Sequence, residues 1–357
     1  MSVMAKAEPG SGDPRLHGGV GGRTARPGNE EFARLTDPFR PELLAHCYRM
    51  LGSVHDAEDQ VQETLLRAWR SFGQFQGRAS LRTWLYRIAT NECLRAIENR
   101  RRRPLPSGLG RPAEDPEGPL AAAMREVPWL QPIPDALLRP ESADPASVAT
   151  SRTNIRLALI AALQYLPARQ RAVLILRDVL GWRAAEVAEL LGTTTGAANG
   201  VLQRARAQLQ QVAPAEDEIR EPADPSDLAL LNRYAAAFEN ADITALTELL
   251  RDDAVLEMPP LPTWFTGREQ IGRFLQSHIL RQPGEFIMIP TAANGQPALA
   301  EYRRDQDGVH RAHAVQVLTL TGSRVARVVV FLDPGLFAAF SLPPALPAAT
   351  AAPVPRQ

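Results

Sequence analysis

Two amides and two guanidinium groups sit close together in the stretch GTTTGAANGVLQRARAQL, residues 192–209. Asn199 and Gln203 are four apart, so a helix places them on one face, and an amide there can pair bidentately with the edge of adenine. Arg204 and Arg206 follow, with the charge and reach to hold phosphates. Ala198, Val201 or Leu202, Ala205 and Leu209 recur at helical spacing and supply the face that packs. Gly196 and Gly200 each cost a helix about 1 kcal/mol against Ala. What they offer in return is close approach of backbone to a nucleic acid, where bulk would block it. Just upstream, AAEVAELLG turns Val187, Leu190 and Leu191 inward and ends at Gly192. Two helices joined by a short turn have the layout of a helix-turn-helix, whose second helix lies in the major groove. The competing reading is a plain helical hairpin with a solvated Arg end.

The elements that would carry such a motif begin much earlier. Residues 29–103 are predicted to be all helix. Leu43, Cys47, Met50 and Val54 form one apolar stripe, and Val61, Leu65, Ala68 and Trp69 form another. Asp56 is placed to cap the second helix, with Glu58 and Asp59 in its first turn, where the dipole favours acid. Its outward face shows Asp59, Gln62, Glu63, Arg67 and Arg70. A third helix runs from about Leu81 to Arg103 and stops at Pro104; Arg87, Arg95 and the Arg100–Arg103 run favour backbone contact with a nucleic acid. Trp84 and Tyr86 on that helix are candidate stacking aromatics, with at least one of them expected in the core.

The chain has 357 residues, enough for two or three domains, with 40 basic and 40 acidic side chains in balance. The balance is local nowhere. Residues 28–103 carry 13 basic against 10 acidic groups, and 151–213 carry 8 against 3. Residues 104–150 carry 3 against 7, and 216–357 carry 12 against 18. Two basic modules separated by an acidic linker point to a polyanion touched in two places. Cys47 and Cys93, with no CxxC, are small core residues of a reduced compartment. His310 and His313 fall on opposite faces of a strand, so no metal site is expected. No apolar run approaches the ~20 residues that span a bilayer, and the N-terminal stretch has no apolar segment, so a cytoplasmic protein is expected.

Residues 1–28 are expected to be a disordered tail, 104–150 an acidic Pro-rich linker and 344–357 a second tail. Within the linker, Trp129, Leu130 and Ile133 of VPWLQPIPDALL are too apolar for a solvated spacer and should dock in a groove, either of this protein or of a partner. Past the boundary APAEDEIREPADPSD, a helix is followed by five strand-like runs punctuated at Asn294-Gly295 and Thr321-Gly322, which gives α+β with a bent antiparallel sheet. Removing residues 216–357 at that charged boundary should expose little core.

The segment DAEDQVQETLLRAWRSFGQFQGRASLRTWLYRIATNECLRAIENRRRR resembles the second conserved region of RNA polymerase sigma factors of the extracytoplasmic-function group. LPARQRAVLILRDVLGWRAAEVAELLGTTTGAANGVLQRAR resembles their fourth region, and the two together cover roughly half the chain. The resemblance implies two all-α domains, 29–103 and 151–213, the second a helix-turn-helix. It also implies that Asp59, Gln62 and Glu63 dock on the polymerase β′ coiled coil, with β as the other core partner. The segment Phe75 to Ser80, including Arg78, would capture a flipped base of the −10 element together with Asn91, with Trp84, Arg87 and Arg95 as further DNA contacts. Asn199, Gln203, Arg204 and Arg206 would meet the −35 element; the family's basic residue near the start of the reading helix is Asn199 here, so phosphate grip moves to the two arginines.

Residues 226–343 resemble the SnoaL-like branch of the NTF2-like fold, on the strength of DITALTELLRDDAVLEMPP, GREQIGRFL, PTAANGQPALAEYRRDQDG and VFLDPGLFAAFSLP. That resemblance implies an α+β cone with a cavity, whose candidate polar groups are Glu257, Trp264, Tyr302, His313 and Asp333. No two of them are set up as acid and base, so neither an enzyme nor a cofactor is expected. The expectation is an alternative sigma factor whose C-terminal domain contacts the sigma domains and modulates them, with a small-molecule ligand as a further partner. The rivals are a DNA-binding regulator that never engages polymerase and a SnoaL-type enzyme with a DNA-binding appendage.

Overall fold

Four helices build the N-terminal module: α1 (Asn29–Thr36), α2 (Arg40–Leu51), α3 (Val54–Ser71) and α4 (Leu81–Glu98). They belong to a computed structural model that describes residues 28–75, 77, 79–98, 102–138, 155–212 and 225–347. The N-terminal tail through 27, Arg78, Arg100 and Arg101, the later part of the linker, the charged boundary through 224 and residues 348–357 lie outside the described residues. The stripe Leu43, Cys47, Met50 and Val54 is fully buried, as its spacing requires. The cap of α3 differs from expectation. Ser53 is the capping residue, its Oγ accepting from the Asp56 backbone N–H at 3.2 Å, while the Asp56 carboxylate is taken by Arg103. The third helix also ends before Arg103. Arg102 lies over the Tyr165 ring at 4.1 Å, and Arg103 donates to the Trp129 carbonyl at 2.9 Å, so both arginines anchor chain that has left the helix.

The second helical module holds α5 (Leu157–Leu163), α6 (Ala168–Leu174), a π turn (Ile175–Val179), α7 (Ala184–Leu190) and α8 (Thr195–Val212). Gly192 between α7 and α8 has φ +61°, the left-handed conformation that glycine takes without strain. Thr194 then starts α8 by accepting from the Ala197 N–H at 3.2 Å.

The C-terminal module opens with α9 (Pro225–Glu239) and α10 (Ile243–Leu249). β1 (Leu250–Glu257), β2 (Trp264–Thr266), α11 (Arg268–Phe274) and β3 (Phe286–Ala293) follow. Then come β4 (Gln296–Arg304), β5 (His310–Thr321), β6 (Arg324–Phe331), α12 (Leu336–Ala339) and β7 (Ala345–Leu346). The sheet order is β2-β1-β6-β5-β4-β3, with β1 parallel to β6 and the other pairs antiparallel. β7 pairs with β5, Leu346 opposite His310, so the chain continues in the sheet past residue 343, where a tail was expected. One face of the sheet packs on the helices of its own module through Leu299, Ala314, Leu318 and Val328. The opposite face, through Ala298, Ala300, Tyr302, Val315 and Val317, belongs to the same buried cluster as the two helical modules. Removing residues 216–357 would therefore strip one side of a shared core, contrary to the expectation from the boundary's composition.

The linker wraps the C-terminal module. The Ser107 N–H donates to Glu257 Oε1 (2.8 Å), Trp264 Nε1 donates to the Gly110 carbonyl (3.1 Å) and Glu117 pairs with Arg273 (3.0 Å). The Met124 N–H then donates to the Pro260 carbonyl (2.9 Å). The chain next returns to the N-terminal module, where Leu130 and Ile133 are fully buried. There Tyr48 Oη donates to the Gln131 carbonyl (2.7 Å) and Ser53 Oγ to Gln131 Oε1 (2.6 Å). The close fit requires Gly52. Its φ is +69°, and a Cβ there would stand 2.8 Å from Leu130 Cδ1 and 3.0 Å from the Gln164 amide. Gly52→Ala is expected to cost at least about 1 kcal/mol from the left-handed backbone alone and to displace Leu130. The check is a lower melting temperature with faster tryptic cleavage at the exposed Arg125.

Among the described residues, no helix is long and apolar enough to cross a membrane, and no group of three or more His, Cys, Asp or Glu could hold a metal ion.

Candidate nucleic-acid interface and the groups around it

α8 buries Ala198, Leu202 and Ala205 and leaves Asn199, Gln203, Arg204 and Arg206 exposed. The packing face is centred on Leu202, with Val201 half-buried against the same core. Gly196 has no atom within 4 Å of where a Cβ would stand, so nothing inside the molecule demands a glycine there. Arg204 projects to solvent, whereas Arg206 is held by Asp178 at 2.7 and 2.9 Å on its two oxygens. That pair is half-exposed and worth little in water, so a phosphate can displace the carboxylate at small cost.

On α3, Asp59 and Gln62 are exposed and Glu63 is partly so, opposite the buried Val61, Leu65 and Ala68. Glu63 pairs with Arg67 at 2.6 Å, which also reaches Glu92 at 3.1 Å. At the foot of α3, Phe72, Phe75 and Trp84 form an aromatic cluster, with Trp84 4.9 Å from Phe75 and 6.1 Å from Phe72. Tyr86 is buried in the core, and Trp84 is partly exposed while packing against the same core. Asn91 and Arg95 are exposed on α4, with Arg95 pairing Glu92 at 2.8 Å.

The two helical modules touch. Arg87 on α4 pairs with Glu189 of α7 at 2.9 Å, and Tyr86 meets Trp182 edge-on at 5.9 Å. Arg171 of α6 is buried; it donates to the Met50 carbonyl of α2, to Gln164 Oε1 (2.8 Å) and to the Leu166 carbonyl (3.1 Å). Burial with no carboxylate bonded to it pulls the Arg171 guanidinium down to about 10.

All three modules meet at the β3–β4 turn. Asn294 is fully buried at φ +58°. Its Nδ2 donates to Tyr48 Oη (2.8 Å) and to the Ile155 carbonyl (2.9 Å), and its Oδ1 accepts from the Ile133 N–H (3.0 Å). The Gly295 N–H donates to Asp135 Oδ1 (2.7 Å), and the Leu157 N–H donates to Gln296 Oε1 (2.9 Å). Sequence reasoning used Asn294-Gly295 only as a turn signal, and missed that the turn is the plug joining α2, the linker and α5.

The expected cavity group needs correction. Only His313 lines the cavity of the C-terminal module. Glu257 is buried on the other face, bonded to Arg327 (2.7 Å) and to the linker. Trp264, directly opposite Glu257 across β1–β2, also serves the linker. Tyr302 points into the shared core and donates to the Pro343 carbonyl (2.9 Å), and Asp333 accepts from the Gly335 N–H (2.9 Å) in a turn. The reason is the period of two: Tyr302 and its neighbour Glu301 face opposite ways, and it is Glu301 that faces the cavity, with Gln316 and Tyr234. A lone acid inside the apolar run ALAEY was the signal available.

Three family models match the chain: Sigma-70 region 2 over residues 35–103, Sigma-70 region 4 over 156–209 and a SnoaL-like domain over 231–328. The extracytoplasmic-function (ECF) RNA polymerase sigma factor SigG of Mycobacterium tuberculosis is 53% identical over 318 residues, 88% of this chain and 85% of that protein. SigW of Bacillus subtilis, another ECF sigma factor, is 29% identical over 51% of this chain and 88% of its own length. The crystal structure of M. tuberculosis SigJ superposes with a TM-score of 0.56 at 23% identity, covering 88% of this chain and 99% of that one, a likeness of fold.

Proposed function

The chain belongs to the ECF RNA polymerase sigma factors, which are not enzymes, and from that we propose how its faces divide the work of directing polymerase to promoters in the cytoplasm. The observation that carries the reading is the pairing of one exposed acidic-polar helix face with one exposed amide-and-arginine helix face. α3 docks on the polymerase β′ subunit through Asp59, Gln62 and Glu63, with β as the second core contact. Trp84, Asn91 and Arg95 meet the opened −10 strand beside the Phe72–Phe75 cluster, where stacking is sequence-tolerant and an unpaired base supplies its face. Arg78, assigned to the same −10 contact by sequence, lies outside the described residues. Asn199 and Gln203 read −35 base edges, and Arg204 and Arg206 hold phosphates.

We also infer that the arrangement described here is a closed one. The two elements are named for positions about 25 base pairs apart, roughly 85 Å at 3.4 Å per pair. α4 and α8 are each 18 residues long, about 27 Å at 1.5 Å per residue. With Arg87 on Glu189, helices of that length do not bridge such a gap. Arg87 is thus a DNA contact only after it leaves Glu189. The C-terminal domain stabilises the closed form through Asn294 and through the linker it binds, and so lowers output until the modules separate.

Run-off transcription with core polymerase and a genomic promoter library tests the whole reading; no promoter-specific product would overturn it. Changing Asp59, Gln62 and Glu63 together to Ala is expected to reduce co-purification with core polymerase at least tenfold, with the circular dichroism unchanged. Undiminished co-purification would remove α3 as the docking face.

A further inference from the structure

Between the helices α9 and α11 and the sheet lies a cavity of about 370 Å³, within the range of small-molecule sites. Most of its wall is apolar: Phe238, Phe274, Phe286, Leu256, Met258 and Val330. One end is polar, and its hydrogen bonds run in a fixed direction. Tyr234 Oη donates to Gln316 Oε1 (3.0 Å), and Gln316 Nε2 donates to Glu301 Oε2 (2.5 Å). Glu301 Oε1 stands 3.7 Å from His313 Nε2, beyond hydrogen-bond range. Arg303, the cation whose charge acts on Glu301, is paired with Glu285 at 2.9 Å and half-exposed at the rim. His278, across the cavity, has its Nε2 buried without a hydrogen-bond partner.

A buried carboxyl with no cation bonded to it is cheapest as the neutral acid, and a neutral acid carries an O–H that needs an acceptor. We propose that the cavity binds an uncharged, largely apolar small molecule whose carbonyl oxygen accepts from Glu301, and that the linker residue Leu120 closes over it. Leu120 lines this cavity although it belongs to the chain between the two helical modules. The strap that holds it is short: Glu117 on Arg273 and Met124 on the Pro260 carbonyl. An occupant in contact with Leu120 therefore stabilises the strapped linker and, through it, the closed form. That last consequence rests on the regulatory reading above, whereas the binding site does not.

Burial raises the Glu301 carboxyl to about 7, against smaller opposing effects of Gln316 and Arg303. Burial, and then Arg303, lower the His313 imidazole from its ordinary value, with Glu285 opposing them. The ligand-holding O–H is then mostly present at pH 6 and lost as pH rises through 7. Tyr234 from α9, His278 after α11, His313 from β5 and Arg303 with Glu285 at the rim are the other titratable or charged groups that face this end.

The test uses the full-length protein and the neutral fluorescent ketone 6-propionyl-2-(dimethylamino)naphthalene. Saturable binding with blue-shifted emission is expected at pH 6, at least tenfold weaker at pH 8.5. Glu301→Leu should weaken binding at pH 6 at least tenfold. Glu301→Gln, which keeps an N–H donor at every pH, should retain binding and abolish its pH dependence. Saturating ketone should also slow tryptic cleavage at Arg111 and Arg125, which flank Leu120. Absence of binding, or equal binding by wild type and Glu301→Leu at both pH values, would overturn the site. Binding as expected without slower cleavage would overturn the lid. Binding with no change in run-off transcription would leave the site standing and count against the regulatory reading alone.

Discussion

Asn294→Ala is expected to lower the melting temperature by several degrees and to raise promoter-DNA affinity at least tenfold. The side chain makes three buried hydrogen bonds, one to each of α2, the linker and the segment leading into α5. Truncation leaves the Ile155 carbonyl and the Ile133 N–H without it, and deprives the buried Tyr48 hydroxyl of a donor. Each buried group left unsatisfied costs about 1–3 kcal/mol. The backbone adds to this, because φ +58° is tolerated by Asn far better than by Ala. The hydrogen-bond losses fall on the closed arrangement only, since a separated turn finds water instead, whereas the backbone cost falls on both forms and lowers stability alone. Apparent affinity for DNA is the intrinsic affinity scaled by the open fraction, and 1.4 kcal/mol shifts that ratio tenfold. Asn294→Asp keeps the acceptor for Ile133 and loses both donors, so it should fall between wild type and Ala. Fluorescence anisotropy with a promoter duplex, alongside thermal melts, makes the comparison. Destabilisation without any gain in DNA binding would mean that the contact braces the active form.

The helical half of the molecule was largely legible because its signal is local. The stripe Leu43, Cys47, Met50 and Val54 and the face Ala198, Leu202 and Ala205 repeat within a few turns, and burial followed the repeat. The cap of α3 shows where local reasoning stops: Ser53 and Asp56 are both good caps, and Arg103, 47 residues on, claims the aspartate. The cavity was not legible for a related reason. Along ALAEY the alternation is plain, but which parity faces the module's own helices is set by what covers each side, and here both sides are covered. An apolar sheet face turned toward a second core looks the same in sequence as one turned toward its own. The turn at Asn294-Gly295 carries a strong hairpin signal, yet turns are usually exposed. Its burial depends on Ile133 and Ile155, 161 and 139 residues away in the chain. The apolar PWLQPIP segment announced that it would dock, and only the fold could supply Gly52, Tyr48 and Gln164 as the groove.

Asn199→Ala and Gln203→Ala are each expected to change preference among −35 sequences by about 1–3 kcal/mol at one base position, and the double variant to reach a hundredfold where both pairs are bidentate. Both side chains are exposed, four apart, on a helix whose opposite face is locked by Ala198, Leu202 and Ala205. Their removal should therefore leave the fold alone. The arginines should behave differently from the amides and from each other. Arg204→Ala removes a cation that projects to solvent, so it should weaken all promoters alike and lower the slope of log K against log salt by about one. Arg206 must first leave Asp178, so Arg206→Ala should cost less, and Asp178→Asn should tighten binding to every promoter without altering preference. Measuring affinity for a set of −35 variants at three salt concentrations separates these patterns. Uniform, sequence-independent losses for Asn199 and Gln203 would end their base-reading role and leave α8 as a phosphate clamp alone.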